Sequence, residues 1–395
     1  MPGPLDGIRV LDFTIAQQGA YATLLMADLG AEVIKVEPPG RGEVGRILGI
    51  DRKTGFSAYF LAINRGKKSL TLDLKAPQGR EVALRLARDC DVVVHNFRPG
   101  VMEKLGLGYE AFRAVNPRII HAAASAFGTN GTLGRKPGND ILAQAMSGLM
   151  SVTGEGEAPL PAGAALADHI GALTLGFGIV SALLCRERTG VGQQVETSLL
   201  GSLLAAQSWE LTHYMLSGEL PAKAGRGHTH LPLLWYTYRT RDGWMALGGV
   251  DPSRWAAFCR AIGRPELETD ERFDSVGKRI RRRSALNEEL DRHFAAADTS
   301  DWIAALEAAD IFCAPVLDYA RVAADAGVLA NGYLTATRHP RLGDARVVAC
   351  PIAFSDTPAD SSRPEPLLGE HTQDVLREFG YTEGAVAELR GAGIV

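Results

Sequence analysis

Asp168 sits in the run Ala164-Ala165-Leu166-Ala167-Asp168-His169-Ile170-Gly171, a carboxylate set after apolar residues at the mouth of a helix expected over His169 to Glu187. A helix start presents unpaired N–H groups and the positive end of its dipole, which hold a carboxylate ionised and oriented. Gly171, Gly176 and Gly178 on the same helix lack side chains and admit a close backbone or ligand. Two roles fit this placement, a helix N-cap and a reactive carboxylate.

A second group of polar residues falls at the ends of expected strands. The first strand is followed by Thr14-Ile15-Ala16-Gln17-Gln18-Gly19. A dinucleotide fingerprint would put G-x-G-x-x-G in that turn, and only Gly19 is there, so Glu37 at the end of the second strand does not make an NAD site. Gln17 and Gln18 still bring amides to the carboxyl end of a strand, where such sheets bind ligands. Arg41 with Arg46, Asp73-Leu74-Lys75 and Asn96-Phe97-Arg98-Pro99-Gly100 belong to the same end. Cations, an asparagine and an aromatic in one crevice suit a phosphorylated, nucleotide-like ligand. The basic loop Asn64-Arg65-Gly66-Lys67-Lys68 and the run Lys278 to Arg283 are read as solvated surface, the second because Glu288 and Glu289 follow it. No HExxH or paired histidine spacing points to a metal, no G-x-S-x-G elbow is present, and no cysteine has an activating neighbour.

These residues need a scaffold that brings strand ends together. Strands are expected at Ile8 to Phe13, Ala31 to Glu37, Ser69 to Leu74, Asp91 to His95 and Arg118 to Ala124, with helices at Ala20 to Leu29 and Pro77 to Arg88. That alternation predicts a doubly wound, Rossmann-like α/β domain with a buried parallel sheet. Beyond Asn139 the pattern is helical: Asp140 to Val152, His169 to Glu187 and Ser198 to Leu216. A hairpin over Trp235 to Thr240 and Trp244 to Gly249, then helices at Pro252 to Ile262, Lys278 to Ala297 and Ser300 to Ala309, predict a smaller α+β domain. Ala314 to Leu317 and Arg346 to Ala349 are short strand candidates, and two short helices close the chain. The expected division is 1–220 for the large domain, a hinge at Pro221 to Gly227, 228–325 for the small domain, and 330–395 returning to the large one.

Composition sets outer bounds. Of 395 residues 46% are hydrophobic and 22% charged, ordinary for a globular chain. The formal charge of -4 argues against nucleic-acid binding and against a basic membrane surface. No membrane span is expected, because Glu, Arg or Gly interrupts each apolar run. Five widely spaced cysteines without a CxxC pair, and no signal sequence after Met1, predict a cytoplasmic protein.

The chain resembles the family III CoA-transferases, the CaiB/BaiF group that includes formyl-CoA transferases and relatives of carnitine-CoA transferase. The resemblance is carried by Leu5 to Asp12, Leu29 to Gly40, Asn64 to Ser69, Asn96 to Gly108, Arg186 to Gln193 and Leu368 to Thr372, six short segments in the family's order. It implies that Asp168 is the catalytic aspartate. It further implies that Gln17, Gln18, Arg41, Leu72, Lys75, Asn96, Phe97, Arg98, Lys104, Lys136 and Asn139 surround coenzyme A, bound as acyl-CoA without a metal. Pro38 stands where relatives often carry Arg, and Arg41 is the candidate substitute. The family's glycine-rich loop is shortened here to Leu247 to Pro252, with Gly248 and Gly249 as candidate oxyanion donors.

From the resemblance follows a CoA-transferase moving CoA between an acyl-CoA and a small carboxylic acid through acyl-aspartyl anhydride and aspartyl-CoA thioester intermediates. A homodimer of interlocked rings is implied as well. The competing reading is the family's racemase branch, which needs an acid/base group on each face of the α-carbon. Those enzymes carry Gly-His-Asp where this chain has Gly138-Asn139-Asp140, and Asn139 cannot exchange a proton. A third reading is a CoA-binding protein without turnover.

Overall fold

The computed structural model describes residues 2–340 and 342–395. Among them, one sheet holds six parallel strands: β1 (Arg9–Asp12), β2 (Glu32–Glu37), β3 (Lys68–Thr71), β4 (Val92–His95), β5 (Ile120–Ser125) and β6 (Gln194–Ser198). Their order is β3-β2-β1-β4-β5-β6. Leu11 pairs with Ile34 on one side and Val93 on the other. This is the doubly wound order, whose direction reverses between β1 and β4 and leaves a crevice outside their carboxyl ends.

The four inner strands carry short apolar stretches because both sheet faces are covered. Leu11, Ile34, Leu70 and Val93 point to a core shared with α2 (Pro77–Ala87) and the C-terminal Val375 and Leu376. The alternate residues Val10, Val33 and Val92 point to a core shared with α1 (Gln18–Asp28) and α4 (Leu166–Thr189). The period-2 alternation of side chains thus divides one sheet between two cores.

Several boundaries differ from expectation. β6 was not anticipated: Gln194-Val195-Glu196-Thr197-Ser198 is an edge strand with one apolar side chain, so it carries no hydrophobic signal. The helix expected over Asp140 to Val152 is two, α3 (Asp140–Met146) and Leu149–Val152, separated by Gly148 at φ 88°. The one expected over Ser198 to Leu216 breaks at Gln207 into Leu199–Ala206 and Ser208–Ser217. Lys278 to Ala297 is likewise two helices, Val276–Arg281 and Arg283–Phe294, and Arg279 is buried against Trp255 rather than solvated. Arg346 to Ala349 is part of a hairpin, Leu334–His339 with Gly343–Val348.

α4 is long and apolar enough to cross a membrane by length and composition, contrary to the expectation that every apolar run is interrupted. Its glycines break the run as written but leave the helix intact. In the fold, Ala172, Leu175, Ile179 and Ala182 pack into the sheet's second core, and Arg186 pairs with Asp91 at 2.8 Å.

The chain divides into two compact units. The first comprises Met1–Ser147, Gly163–Ala206 and Ala326–Val395, and holds the parallel sheet. Its C-terminal segment binds the β3 edge, where His371 N–H donates to Ser69 O at 3.0 Å and Thr71 N–H to Thr372 Oγ1 at 3.1 Å. The second comprises Gly148–Ala162 and Gln207–Asp325, built on an antiparallel sheet with Leu231–Arg239 and Trp244–Gly248 at its centre. Tyr238, Phe258 and Phe294 fill its core. It takes up more chain than the expected 228–325, because Ala224 N–H donates to Val152 O at 3.0 Å and Gly225 N–H to Gly154 O at 3.2 Å. Those bonds draw 148–162 and the expected hinge into one body.

Candidate active site

A cavity of about 550 Å³ opens at the carboxyl ends of β1, β2, β3 and β4. Its walls include Phe13 and Ile15 after β1, Arg41 and Glu43 after β2, Leu72 to Lys75 after β3, and Phe97, Val101 and Leu105 after β4. Of the expected CoA contacts it gathers Arg41, Leu72, Lys75 and Phe97. Exposed Arg41 and Lys75 offer charge for phosphates, while Leu72, Phe97 and Leu105 give apolar wall. The volume and the mix of a few polar groups on apolar lining are those of a small-molecule site.

Not every expected cation is available. Arg46 donates to both oxygens of Glu37, each at 2.7 Å, and lies over the Phe60 ring at 4.0 Å. Burial alone would raise the Glu37 pKa, but Arg46, Lys35 and Ser69 outweigh it and hold the carboxyl below its ordinary value. Lys67, read as surface, is fully buried and donates to Asp12 Oδ2 at 3.1 Å, Ala20 O at 2.9 Å and Asn64 Oδ1 at 2.8 Å. Burial pushes its ammonium down to about 8.

Asp168 is not among the residues lining this cavity. Ala165 is the N-cap of α4, so Asp168 is the third helical residue and not the cap. Its backbone N–H donates to Asp140 Oδ1 at 3.1 Å, and Asp140 Oδ2 accepts from Gln144 Nε2 at 2.6 Å. Burial first, and the Asp140 charge second, push the Asp168 carboxyl up to about 7. That direction is opposite to the one expected from the helix start: desolvation and a like charge both favour the neutral carboxyl. A carboxylate that titrates near neutrality is a strong base and nucleophile once ionised.

At the following residue, His169, Gln17 Nε2 stands 3.1 Å from Nδ1 and 3.3 Å from Nε2. A nitrogen nearly equidistant from both ring nitrogens is over the imidazole face, not in its plane. The ring is held by Ala165 O at 3.0 Å from Nδ1 and by the edge contact with Tyr21. Gln18 is buried and turned to α4: a Cβ on Gly171 would come within 2.7 Å of its Nε2, an atom without a hydrogen-bond partner. Gly171 thus permits the close approach its position suggested.

The family model for CoA-transferase family III matches residues 5–372. The chain belongs to CoA-transferase family III. It is 34% identical over 394 residues to the mouse (Mus musculus) protein named succinyl-CoA:glutarate CoA-transferase, covering 99% of this chain and 90% of that one. It is 34% identical to acetyl-CoA:oxalate CoA-transferase of Acetobacter aceti, over 96% of this chain and 97% of the other. A CaiB/BaiF family protein from Brucella suis superposes with a TM-score of 0.87 at 31% identity, over 96% of this chain and 100% of that structure.

Within this family III chain the remaining expected residues separate. Arg98, Lys104 and Lys136 are exposed and do not line the cavity. Asn139 caps α3, its Oδ1 accepting from Leu142 N–H at 3.4 Å, which puts it beside Asp140 rather than in the cavity. Asn96 is turned to the backbone of Ile15, which both ends of its amide engage. Gly248 and Gly249 belong to the second unit, and the Gly248 N–H already donates to Phe312 O at 2.8 Å. That commitment removes Gly248 as an oxyanion donor in this conformation.

Sequence reasoning missed two acids. Asp140 was visible as the last residue of the Gly138-Asn139-Asp140 triplet but was read only for its neighbour. Glu43 carried no signal, since its role depends on the fold of the first turn.

Proposed function

We propose that this CoA-transferase moves CoA from an acyl-CoA donor to a carboxylic acid acceptor, with Asp168 as the covalent carrier. The carboxylate attacks the thioester carbonyl, forming an acyl-aspartyl anhydride and expelling CoA thiolate. The thiolate attacks the aspartyl carbonyl, giving an aspartyl-CoA thioester and the free donor acid. An acceptor carboxylate then repeats both steps in reverse, so each bond broken is replaced by one of similar energy. CoA's nucleotide end is assigned to the cavity walled by Arg41, Leu72, Lys75 and Phe97. The relatives named above act on glutarate and oxalate, which supports a dicarboxylic acceptor.

The observation that carries this reading is the half-buried Asp168 carboxyl, lifted to about 7 by burial and the neighbouring Asp140, whose Oδ1 accepts from its N–H. Gly249 is the oxyanion donor that the resemblance leaves, contributing about 3 kcal/mol. The racemase alternative is disfavoured by Asn139 and by the His169 ring, which is engaged by Ala165, Gln17 and Tyr21. A homodimer also belongs to the reading. Leu173, Phe177, Val180 and Leu184 form an exposed apolar stripe on α4, with Phe177 77% exposed, a face that a second copy would cover. The interlocking of rings rests on the resemblance, and a cytoplasmic location on the five free cysteines.

Incubation with succinyl-CoA should leave a hydroxylamine-sensitive adduct on Asp168, detectable by mass spectrometry. Asp168→Ala should lose both adduct and transfer while still binding CoA. Transfer retained by that variant defeats the assignment, and solvent deuterium at the α-carbon without any acceptor acid would favour the racemase.

A further inference from the structure

The turn between β1 and α1 is held in a conformation its own residues do not favour. Ala16 has φ 53°, in the left-handed region that is costly for any residue but glycine. The turn's backbone is secured by side chains from elsewhere in the sheet. Asp12 Oδ1 accepts from Thr14 N–H at 2.8 Å, and Lys35 Nζ donates to Thr14 O at 2.9 Å. Asn96 uses both ends of its amide on Ile15: Oδ1 accepts from the N–H at 2.8 Å and Nδ2 donates to the carbonyl at 2.6 Å. Buried Glu43 accepts from Ala16 N–H at 3.1 Å and Gly45 N–H at 2.9 Å through Oε2. Gly19 completes the fit, since a Cβ there would lie 2.4 Å from Thr14 Cγ2 and 3.5 Å from Asn96 Cβ.

The residue that follows Ala16 is Gln17, whose amide lies over His169, the chain neighbour of Asp168. We propose that Asn96 and Glu43 are positioning residues, which clamp the Ile15-Ala16 turn with its left-handed Ala16 and thereby set the Gln17 amide over His169, next in the chain to the nucleophile. This rests on the reading of Asp168 given above. It reassigns Asn96: the resemblance makes it a contact to CoA, whereas the geometry spends its amide on Ile15. Ile15 itself walls the cavity, so the clamped turn runs from that crevice to His169 in the first turn of α4.

A residue that acts through Gln17 must be non-additive with it. Asn96→Ala is expected to lower kcat at least about tenfold, with KM for acyl-CoA and Kd for free CoA within about twofold. Gln17→Ala should cause a comparable loss, and the double variant should fall no more than about twofold below the worse single. The milder Asn96→Ser, which keeps a small polar group, should lower kcat severalfold at unchanged KM if Asn96→Ala does not fold. Losses that multiply in the double variant, or a raised KM at unchanged kcat, overturn the proposal. Hydrogen exchange separates it from the nucleophile reading: the Ile15 and Ala16 amides should exchange faster in Asn96→Ala whatever Asp168→Ala does to transfer.

Discussion

Asp140 holds Asp168 by its backbone and opposes it by its charge. The Asp168 N–H donates to Asp140 Oδ1 at 3.1 Å, so one carboxylate orients the first turn of α4 and also raises the pKa of the side chain it orients. A like charge makes Asp168 a stronger base when ionised, and a smaller fraction of it is ionised at a given pH.

Asp140→Asn separates the two effects, because the amide oxygen can still accept the N–H. The attack requires ionised Asp168, so kcat/KM should rise with pH through about 7 in the parent enzyme. Asn at 140 should move that limb to lower pH by less than the full shift, since burial is the larger cause. A pH profile of kcat/KM from acid to mildly alkaline conditions reads this, and an unmoved limb contradicts it.

Asp168→Asn should stabilise the fold at alkaline pH. The folded pKa lies above the unfolded one, so the native state binds the extra proton between about 4 and about 7. Its stabilisation is present below about 4 and is lost as pH rises through about 7, leaving a half-buried charge. Removing that charge should add roughly 1–3 kcal/mol at pH 8 and much less at pH 5. Thermal unfolding at the two pH values tests it, and a variant less stable at pH 8 would refute the assignment of cause.

His95 and His121 predict the opposite sign. Their rings are 5.1 Å apart in the sheet interior, and burial pushes His95 down to about 3, with the His121 charge adding, and His121 down to about 4. Neither His121 nitrogen has a hydrogen-bond partner, and both rings stay neutral in the fold. Unfolded histidines bind protons near pH 6.5, so stability is full above that value and is lost as pH falls towards about 4. His121→Phe should flatten this acid limb in chemical unfolding between pH 6.5 and 4.5. An unchanged slope would place the acid sensitivity elsewhere.

Much of this was legible in the chain. The run Val92 to Val94 in β4 is uniformly apolar because both faces are buried, and a uniform run announces itself. Asp168 stood out because a lone carboxylate interrupts an apolar segment. What stayed hidden depends on partners distant in sequence. Lys67 read as a solvated cation and Arg46 as one for the ligand crevice, yet they pair with Asp12 and Glu37, and no local pattern encodes those pairs. The raised pKa of Asp168 was equally illegible, since burial and the Asp140 charge are properties of the folded site. β6 was missed because an edge strand needs only one apolar side chain, Val195, to belong to the sheet.

Gly79 offers a test of the cavity that leaves the Asp168 site untouched. It is the third residue of α2, where alanine would ordinarily favour the helix by about 1 kcal/mol. Here a Cβ would lie 1.9 Å from the Asp73 carbonyl oxygen and 2.8 Å from its carbon. Asp73 has little room to retreat, because its N–H donates to Ile394 O at 2.8 Å and its carbonyl accepts from Ala76 N–H at 3.2 Å. The clash must therefore displace the segment that brings Leu72 and Lys75 to the cavity wall. Gly79→Ala is expected to cost about 1–3 kcal/mol in unfolding free energy. It should raise KM for acyl-CoA roughly tenfold while kcat stays within about twofold, the signature of lost uniform binding. Steady-state kinetics at saturating acceptor decide it. A folded Gly79→Ala enzyme with unaltered KM would mean that CoA does not use this wall.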